Sequence, residues 1–254
     1  MRINKLIIAL IFQVLSLHGQ DYSQKYGKPI ITLYEADPSF DAENYNEIGL
    51  DAPTFVMYDN GQLLFRKLIN KKIVFFEYKV EQRDIKKFLK KVGITEKFLK
   101  DTPQYINATE ISCQAFTTLS IRLDSTKRTT ISGNIHNKKS RDRKQVPKNI
   151  MAVFDNLFDY NTKLAKQWTP DYIEVTLTDD NDFAGTIIQL PKEFVNLDTL
   201  ISKDTVGLTY KVFIGRKYFK EFYELMKEAI YSATVIHNRR NIRLMFKLKY
   251  PNLD

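Results

Sequence analysis

One stretch of the sequence combines residue types that can bind an anion. Residues 137–148 contain six cationic side chains and a single acid, Asp142. Closely spaced cations displace the counterions of a polyanion, so the run predicts contacts with phosphate or an acidic polysaccharide. It contains no aromatic residue on which nucleic acid bases would stack. The alternative interpretation is an exposed basic linker. With two arginines near the C-terminus, the candidate anion contacts are Lys138, Lys139, Arg141, Arg143, Lys144, Arg239 and Arg240.

Residue types that commonly carry catalysis are scarce. Beyond the first 19 residues only two histidines remain, His136 and His237, which excludes a three-histidine zinc site. Both are expected in exposed turns. Cys113, the only cysteine, lies in a strand-like pattern and is expected to be a small buried side chain. An internal disulfide is impossible with one cysteine.

No motif of a known catalytic site is present. The chain lacks a Gly-x-Ser-x-Gly elbow, a Walker loop and a Rossmann fingerprint. Acidic residues crowd segments 35–51 and 179–182, which we interpret as solvated loops, with a bound cation as the alternative. We therefore expect no catalytic residue, no metal and no cofactor. A carboxylate pair for glycoside hydrolysis is defined by distance in space and leaves no such motif.

The element around which the fold is expected to form is a hairpin, residues 53–66. Side chains alternate along a strand, so Phe55 and Met57 point to one face and Val56 and Tyr58 to the other. Both faces are apolar and are expected to be buried. Asn60-Gly61 predicts a two-residue type I′ turn, because both residues tolerate positive φ.

Periodicity predicts an α+β fold with antiparallel sheets and about three main helices. Strands are predicted at 29–34, 73–80, 106–123, 128–135, 172–178, 208–214, 232–237 and 242–250. The main helices are predicted at 83–92, 147–164 and 217–229, with a short one at 94–99. The order strand, helix, hairpin occurs after Tyr78-Lys-Val80 and again after Tyr210-Lys-Val212, which leads to the hypothesis of two similar α+β halves.

The hairpin also resembles part of an uncharacterised family of secreted bacterial proteins. Those proteins carry a Pro-x-Phe-x-Leu-Tyr-x-Asp-Gly hairpin near the mature N-terminus and tend to end in a strand closed by proline. Here the pattern is Pro53, Phe55, Met57-Tyr58 and Asn60-Gly61, with Asn where Asp is usual, and the chain closes with the segment 244–251. The resemblance covers a small part of the chain and implies no activity or site residue.

The N-terminus has the layout of a secretory signal peptide. Arg2 and Lys5 precede a short apolar run, residues 6–15, and small residues follow near Gly19. The run is shorter than the roughly 20 residues of a transmembrane helix, so no integral span is expected in the mature form. The predicted organisation is a signal peptide at 1–19, an N-terminal α+β half at 20–137, a basic linker at 138–148 and a C-terminal α+β half at 149–254. The two halves either form one domain or stand separately.

These observations predict an exported protein, periplasmic or extracellular. The net charge of +9 favours solubility and weak attraction to anionic surfaces. The leading hypothesis is a non-catalytic binding or accessory protein of the cell envelope or exterior, with an envelope protein or an anionic polymer as partner. One alternative is a secreted hydrolase that uses carboxylates. The other is a binder of anionic polymers through the basic linker.

Overall fold

The chain forms an α+β structure, as the periodicity predicts. The structure, a computed structural model, describes residues 25–36, 52–70, 72–111, 115–179, 185–197, 209–226, 232–238, 240–248 and 250–253. The predicted signal peptide, Cys113, Arg239 and most of the acidic segment 35–51 lie outside these residues. Within them the chain folds into four helices and two mostly antiparallel sheets.

The first sheet has eight strands, in the order β5-β7-β6-β1-β2-β3-β4-β8. Neighbouring strands in this sheet run antiparallel, except β5 and β7, which are parallel. Three helices belong to this part of the chain: α1 (Ile85–Lys91), α2 (Glu96–Asp101) and α3 (Lys148–Phe158). The strands are β1 (Pro29–Ala36), β2 (Phe55–Tyr58), β3 (Gln62–Ile69), β4 (Lys72–Lys79), β5 (Tyr105–Asn107), β6 (Phe116–Arg122), β7 (Thr126–Ser132) and β8 (Lys166–Gln167).

The second sheet has five strands, in the order β10-β12-β13-β9-β11. Its one parallel pair is β10 with β12. Helix α4 (Phe219–Met226) connects β11 to the closing hairpin. The strands are β9 (Tyr172–Asp179), β10 (Thr186–Ile188), β11 (Thr209–Gly215), β12 (Ser232–His237) and β13 (Arg240–Lys247).

The hairpin β2–β3 is buried on both faces, which confirms the sequence interpretation. Phe55 and Met57 belong to a core that the first sheet shares with α1, α2 and α3. Val56 and Tyr58 belong to a second core, which the opposite face of β2–β4 shares with the second sheet and α4. The Tyr58 hydroxyl donates a 2.7 Å hydrogen bond to the carbonyl of Pro251, so the hairpin and the closing proline are in direct contact.

The turn of this hairpin differs from the prediction. Tyr58 and Gln62 flank a three-residue loop, and of its residues only Gly61 has a positive φ, at 84°. The two-residue type I′ turn is therefore wrong, because the loop is the longer form in which one left-handed residue closes a type I turn. The Asn60 side chain stabilises the loop by accepting from the Gln62 amide at 3.0 Å and donating to the Lys25 carbonyl at 2.8 Å.

Three further predictions are corrected by the structure. Helix α3 ends at Phe158, and Leu164 beyond it is 69% exposed instead of continuing the apolar stripe. The long strand at 106–123 is two separate strands, β5 and β6. The sequence placed α3 in the C-terminal half, but its apolar face packs on the first sheet, and β8 also pairs with that sheet.

The two halves do not share a topology. In the first sheet the helices lead from β4 to the hairpin β6–β7, and the first strand of that hairpin pairs with β1 inside the sheet. In the second sheet α4 leads from β11 to the hairpin β12–β13, and there the second strand pairs inside, with β9. The predicted order strand, helix, hairpin thus occurs in both halves, but its strands pair differently in the two sheets, which does not support a duplicated unit.

Candidate anion-binding site

The basic segment folds against helix α3. Directly after β7 the chain turns, and Ser140 caps a 3-10 helix (Arg141–Gln145) by accepting a hydrogen bond from the Asp142 amide at 3.2 Å. Val146 is 4% exposed and joins the core on the helix side of the first sheet. Pro147 is the N-cap residue of α3. The segment interpreted as a linker is therefore anchored at both ends and does not bridge the two sheets.

A cleft of about 530 Å³ lies between this segment and α3. Its wall is strongly cationic, with five lysine or arginine side chains and one carboxylate. The remaining lining is small or apolar, and none of the described residues that line the cleft is aromatic. We call this the basic cleft, and its lining residues are Lys138, Lys139, Ser140, Arg143, Lys144, Val146, Lys148, Met151, Ala152 and Asp155.

Asp155 holds two of the five cations in place. The Arg143 guanidinium donates from Nη2 to both Asp155 oxygens, at 2.6 and 2.9 Å, and from Nη1 to the Ile135 carbonyl. Lys138 Nζ donates to Asp155 at 2.7 Å and to Asp159 at 2.8 Å. Partial burial raises the pKa of Asp155, but the hydrogen bonds from Arg143 and Lys138 outweigh it and lower the pKa below its usual value. The carboxylate therefore stays charged and orders the two cations.

The other three cations of the basic cleft are available for a ligand. Lys139, Lys144 and Lys148 are exposed, and none of them forms an ion pair with a described residue. Lysine presents a mobile point charge with three donors, whereas the fixed guanidinium of Arg143 presents a rigid fork. The cleft therefore combines two cations held in position by Asp155 with three mobile ones.

The structure unites most of the predicted anion contacts and separates the rest. Lys138, Lys139, Arg143 and Lys144 line the basic cleft, and Lys148 joins them. Arg141 is exposed and does not line it. Arg240 lies on the second sheet, where it forms a 3.4 Å ion pair with Asp179. Arg239 lies outside the described residues.

Sequence analysis missed a second cluster of charged groups, around Glu35. The Glu35 carboxylate accepts from His136 Nδ1 at 2.8 Å and from the Thr54 hydroxyl at 2.5 Å. Arg66 Nη2 lies 3.7 Å from the same carboxylate. The His136 ring stacks on Phe158 with ring centroids 4.5 Å apart. His136 lies between β7 and the basic segment. Glu35, on β1, therefore connects this part of the chain to the hairpin.

The pKa of Glu35 follows from these contacts. Burial alone raises the pKa of the carboxyl group, because it disfavours the charged form. The hydrogen bonds from His136 and Thr54 and the charges of His136 and Arg66 act in the opposite direction, and the net pKa lies below the usual 4.5. Glu35 was assigned to a solvated loop, but it is part of β1 and only 17% of its side chain is exposed.

The other candidate residues are not gathered into a site. His136 is exposed, as expected, whereas His237 is half-buried at the end of β12 and 2.9 Å from the Asn238 amide. In the part of the chain that the structure describes, no cluster of His, Cys, Asp or Glu side chains is able to hold a metal ion. No helix among those residues is long and apolar enough to cross a membrane.

Comparisons with known protein families, with curated proteins and with solved structures found no match for this chain. The resemblance of the hairpin to secreted bacterial proteins therefore stays a prediction.

Proposed function

We propose that the protein is an exported, non-catalytic binding protein of the cell envelope or exterior, and that the basic cleft holds an acidic polysaccharide. The observation that carries the proposal is the convergence of five cationic side chains on one cleft, of which three have no acidic partner among the described residues. Such an arrangement attracts a polymer that presents sulfate, phosphate or carboxylate groups at intervals.

The lining of the basic cleft favours a polysaccharide over a nucleic acid. Single-stranded nucleic acids are held by aromatic side chains on which their bases stack. Among the described residues, the apolar lining consists of Val146, Met151 and Ala152, and none of these has an aromatic ring. Anionic groups carried on sugar rings need charge and hydrogen-bond donors, and the cleft offers both through its lysines and Arg143.

Export is supported by the signal-like pattern of residues 1–19. A secreted hydrolase remains the alternative. A pair of carboxylates would carry that chemistry, but Asp155 is the single carboxylate among the described residues that line the basic cleft. Both of its oxygens accept hydrogen bonds from Arg143. The leading proposal therefore rests on binding.

A charge-neutralising variant tests the proposal. Lys139, Lys144 and Lys148 are replaced together by Gln, and binding to heparin and to alginate is measured by calorimetry at low salt. We expect the affinity to fall about tenfold or more, because each lost cation removes one counterion-releasing contact. The far-ultraviolet circular dichroism should not change, since all three side chains are exposed.

The matched control replaces three exposed lysines of α1, Lys86, Lys87 and Lys90, by Gln. This variant has the same net charge but an intact cleft, and we expect its affinity to stay within about twofold of the wild-type protein. If both variants lost affinity equally, the loss would come from the change in net charge alone, and the basic cleft would be refuted as a site. Wild-type protein that binds neither polymer would refute the proposal as well.

A further inference from the structure

The described residues cover only half of one face of the first sheet. Across β2–β4 this face is buried in the core shared with the second sheet, through Val56, Tyr58, Leu64 and Phe75. The same face continues across β1, β6, β7 and β5, where the side chains are largely half-buried or exposed. The helices cover the other side of these four strands, through buried residues such as Leu33, Leu119 and Ile131.

Strand register arranges this open face in ordered rows. Tyr34 pairs with Thr118, Thr118 with Thr130, and Thr130 with Tyr105, so these four side chains form one row across four strands. Neighbouring strands lie about 4.8 Å apart, so the two tyrosines stand about 14 Å apart. Phe116 occupies the adjacent row, beside Ser132 and Asn107. We call these two rows the aromatic platform.

The rings of the aromatic platform are unusually accessible. Tyr105 is 59% exposed, Phe116 43% and Tyr34 36%. The space between the rings is polar, because the half-buried Thr130 lies there, with its hydroxyl oxygen 3.0 Å from that of Thr118, which is only 7% exposed. A protein partner is favoured by a continuous apolar patch, and this alternation of rings and hydroxyl groups does not form one.

The same alternation suits a sugar chain. A pyranose ring presents apolar C–H groups on its faces, which pack on aromatic rings, and hydroxyl groups at its edges, which need hydrogen-bond partners. The aromatic platform supplies rings at both ends of a row and the partly exposed hydroxyl group of Thr130 between them. A straight row across a sheet matches an extended, ribbon-like chain better than a coiled one.

We propose that the aromatic platform binds an extended β-1,4-linked glycan, with sugar rings stacked on Tyr34 and Tyr105. The site is distinct from the basic cleft, which lies between the segment 138–148 and α3, the helix that packs on the other side of the sheet. Its contacts are uncharged, so it does not depend on the proposed function.

The test uses neutral oligosaccharides, so that charge has no part in it. Cellohexaose, chitohexaose and xylohexaose are titrated into the full-length protein and into a Tyr34→Ala/Tyr105→Ala variant, and heat is measured by calorimetry. We expect the wild-type protein to bind at least one of the three, and the variant to bind it about tenfold or more weakly, because two stacking contacts are lost. Tyr105→Phe keeps the ring and should stay within about twofold of the wild-type protein.

Phe213→Ala is the matched control, since Phe213 is 53% exposed but lies on the second sheet. Its affinity for the same oligosaccharide should equal that of the wild-type protein. The proposal is overturned if none of the three oligosaccharides binds, or if the double variant binds as tightly as the Phe213 control. Either of these results leaves the heparin and alginate measurements unaffected, because they report on the lysines of the basic cleft.

Discussion

At the scale of single residues, Glu35 is a mostly buried carboxylate with several charged or polar partners. Its carboxylate meets a histidine, a hydroxyl and an arginine, while only 17% of its side chain is exposed. A buried carboxylate is stabilising only when such partners compensate for the loss of water. The contacts of Glu35 join β1 to Thr54 and Arg66 on the hairpin and to His136 before the basic segment.

Acid should weaken the fold through Glu35. Because its pKa in the folded protein lies below the usual 4.5, ionised Glu35 contributes stability above that pH, and the contribution is lost as the pH falls through the lowered pKa. Glu35→Gln should therefore lower the free energy of unfolding at pH 7 and make it less dependent on pH between 5 and 3, as measured by urea unfolding.

The control for this prediction is Glu81→Gln, because Glu81 is exposed just before α1 and has no ion pair with a described residue. This variant should follow the pH dependence of the wild-type protein. A Glu35→Gln variant with an unchanged slope between pH 5 and 3 would show that the Glu35 contacts add nothing to stability.

The Glu35–His136 pair was beyond the reach of sequence analysis for a physical reason. The two residues are separated by 101 positions, and their contact depends on β1 pairing with β6. Nothing in either local pattern specifies that pairing. The basic cleft was easier to predict from the sequence, because four of its cations are close neighbours in the chain and were predicted as anion contacts. The residues of α3 that form its other wall could be identified only from the tertiary structure.

At the scale of elements, the turn of the β2–β3 hairpin depends on one glycine. Gly61 has a φ of 84°, and a Cβ atom added there would lie 2.1 Å from the Val80 carbonyl oxygen. Residues other than glycine rarely adopt this backbone conformation, and the backbone of Val80 leaves no room for a Cβ atom. The hairpin therefore tolerates only glycine at this position.

Gly61→Ala should destabilise the protein by about 2 kcal/mol or more, through backbone strain and the clash with Val80. The measurement is urea unfolding followed by circular dichroism. Gly215→Ala is the matched control, because no atom lies within 4 Å of its added Cβ and its φ of −69° is ordinary. We expect that variant to be neutral or slightly stabilised. Equal stability of the two variants would contradict the role assigned to Gly61.

Element types were predictable where the periodicity was strong, and their packing was not. The alternation in 55–58 correctly indicated a strand buried on both faces. The stripe of Ile150, Val153 and Phe154 correctly indicated an amphipathic helix. An apolar stripe does not specify the sheet that covers it, so α3 was assigned to the wrong half. A turn signal likewise does not specify the length of the loop, and the type I′ prediction failed.

At the scale of the whole molecule, two cores share one hairpin. Phe55 and Phe65 contribute to the core on the helix side, and Val56 and Leu64 to the core on the side of the second sheet. A change in one core therefore alters the strands that support the other. We expect the described parts of both halves to unfold as one cooperative unit.

Phe154→Ala tests this coupling. Phe154 is fully buried in the core on the helix side, whereas the only tryptophan, Trp168, is buried in the other core. The substitution should reduce the free energy of unfolding by about 3–5 kcal/mol. Because the cores are coupled, the urea midpoint of Trp168 fluorescence should fall together with the midpoint of circular dichroism.

The control for this coupling is Phe116→Ala, which removes a ring that is 43% exposed on the same sheet and should shift both midpoints only slightly. Trp168 fluorescence that keeps its wild-type midpoint in the Phe154→Ala variant would show that the second core unfolds independently.

The most direct test of the basic cleft is the salt dependence of heparin binding. The affinity of the wild-type protein and of the Lys139/Lys144/Lys148→Gln variant is measured from low to physiological salt, and log affinity is plotted against log salt concentration. Contacts between cations and a polyanion release counterions, so the slope reports how many such contacts form. We predict a steep wild-type slope that becomes shallower by about two to three in the variant. Equal slopes for the two proteins would show that the basic cleft does not bind the polymer.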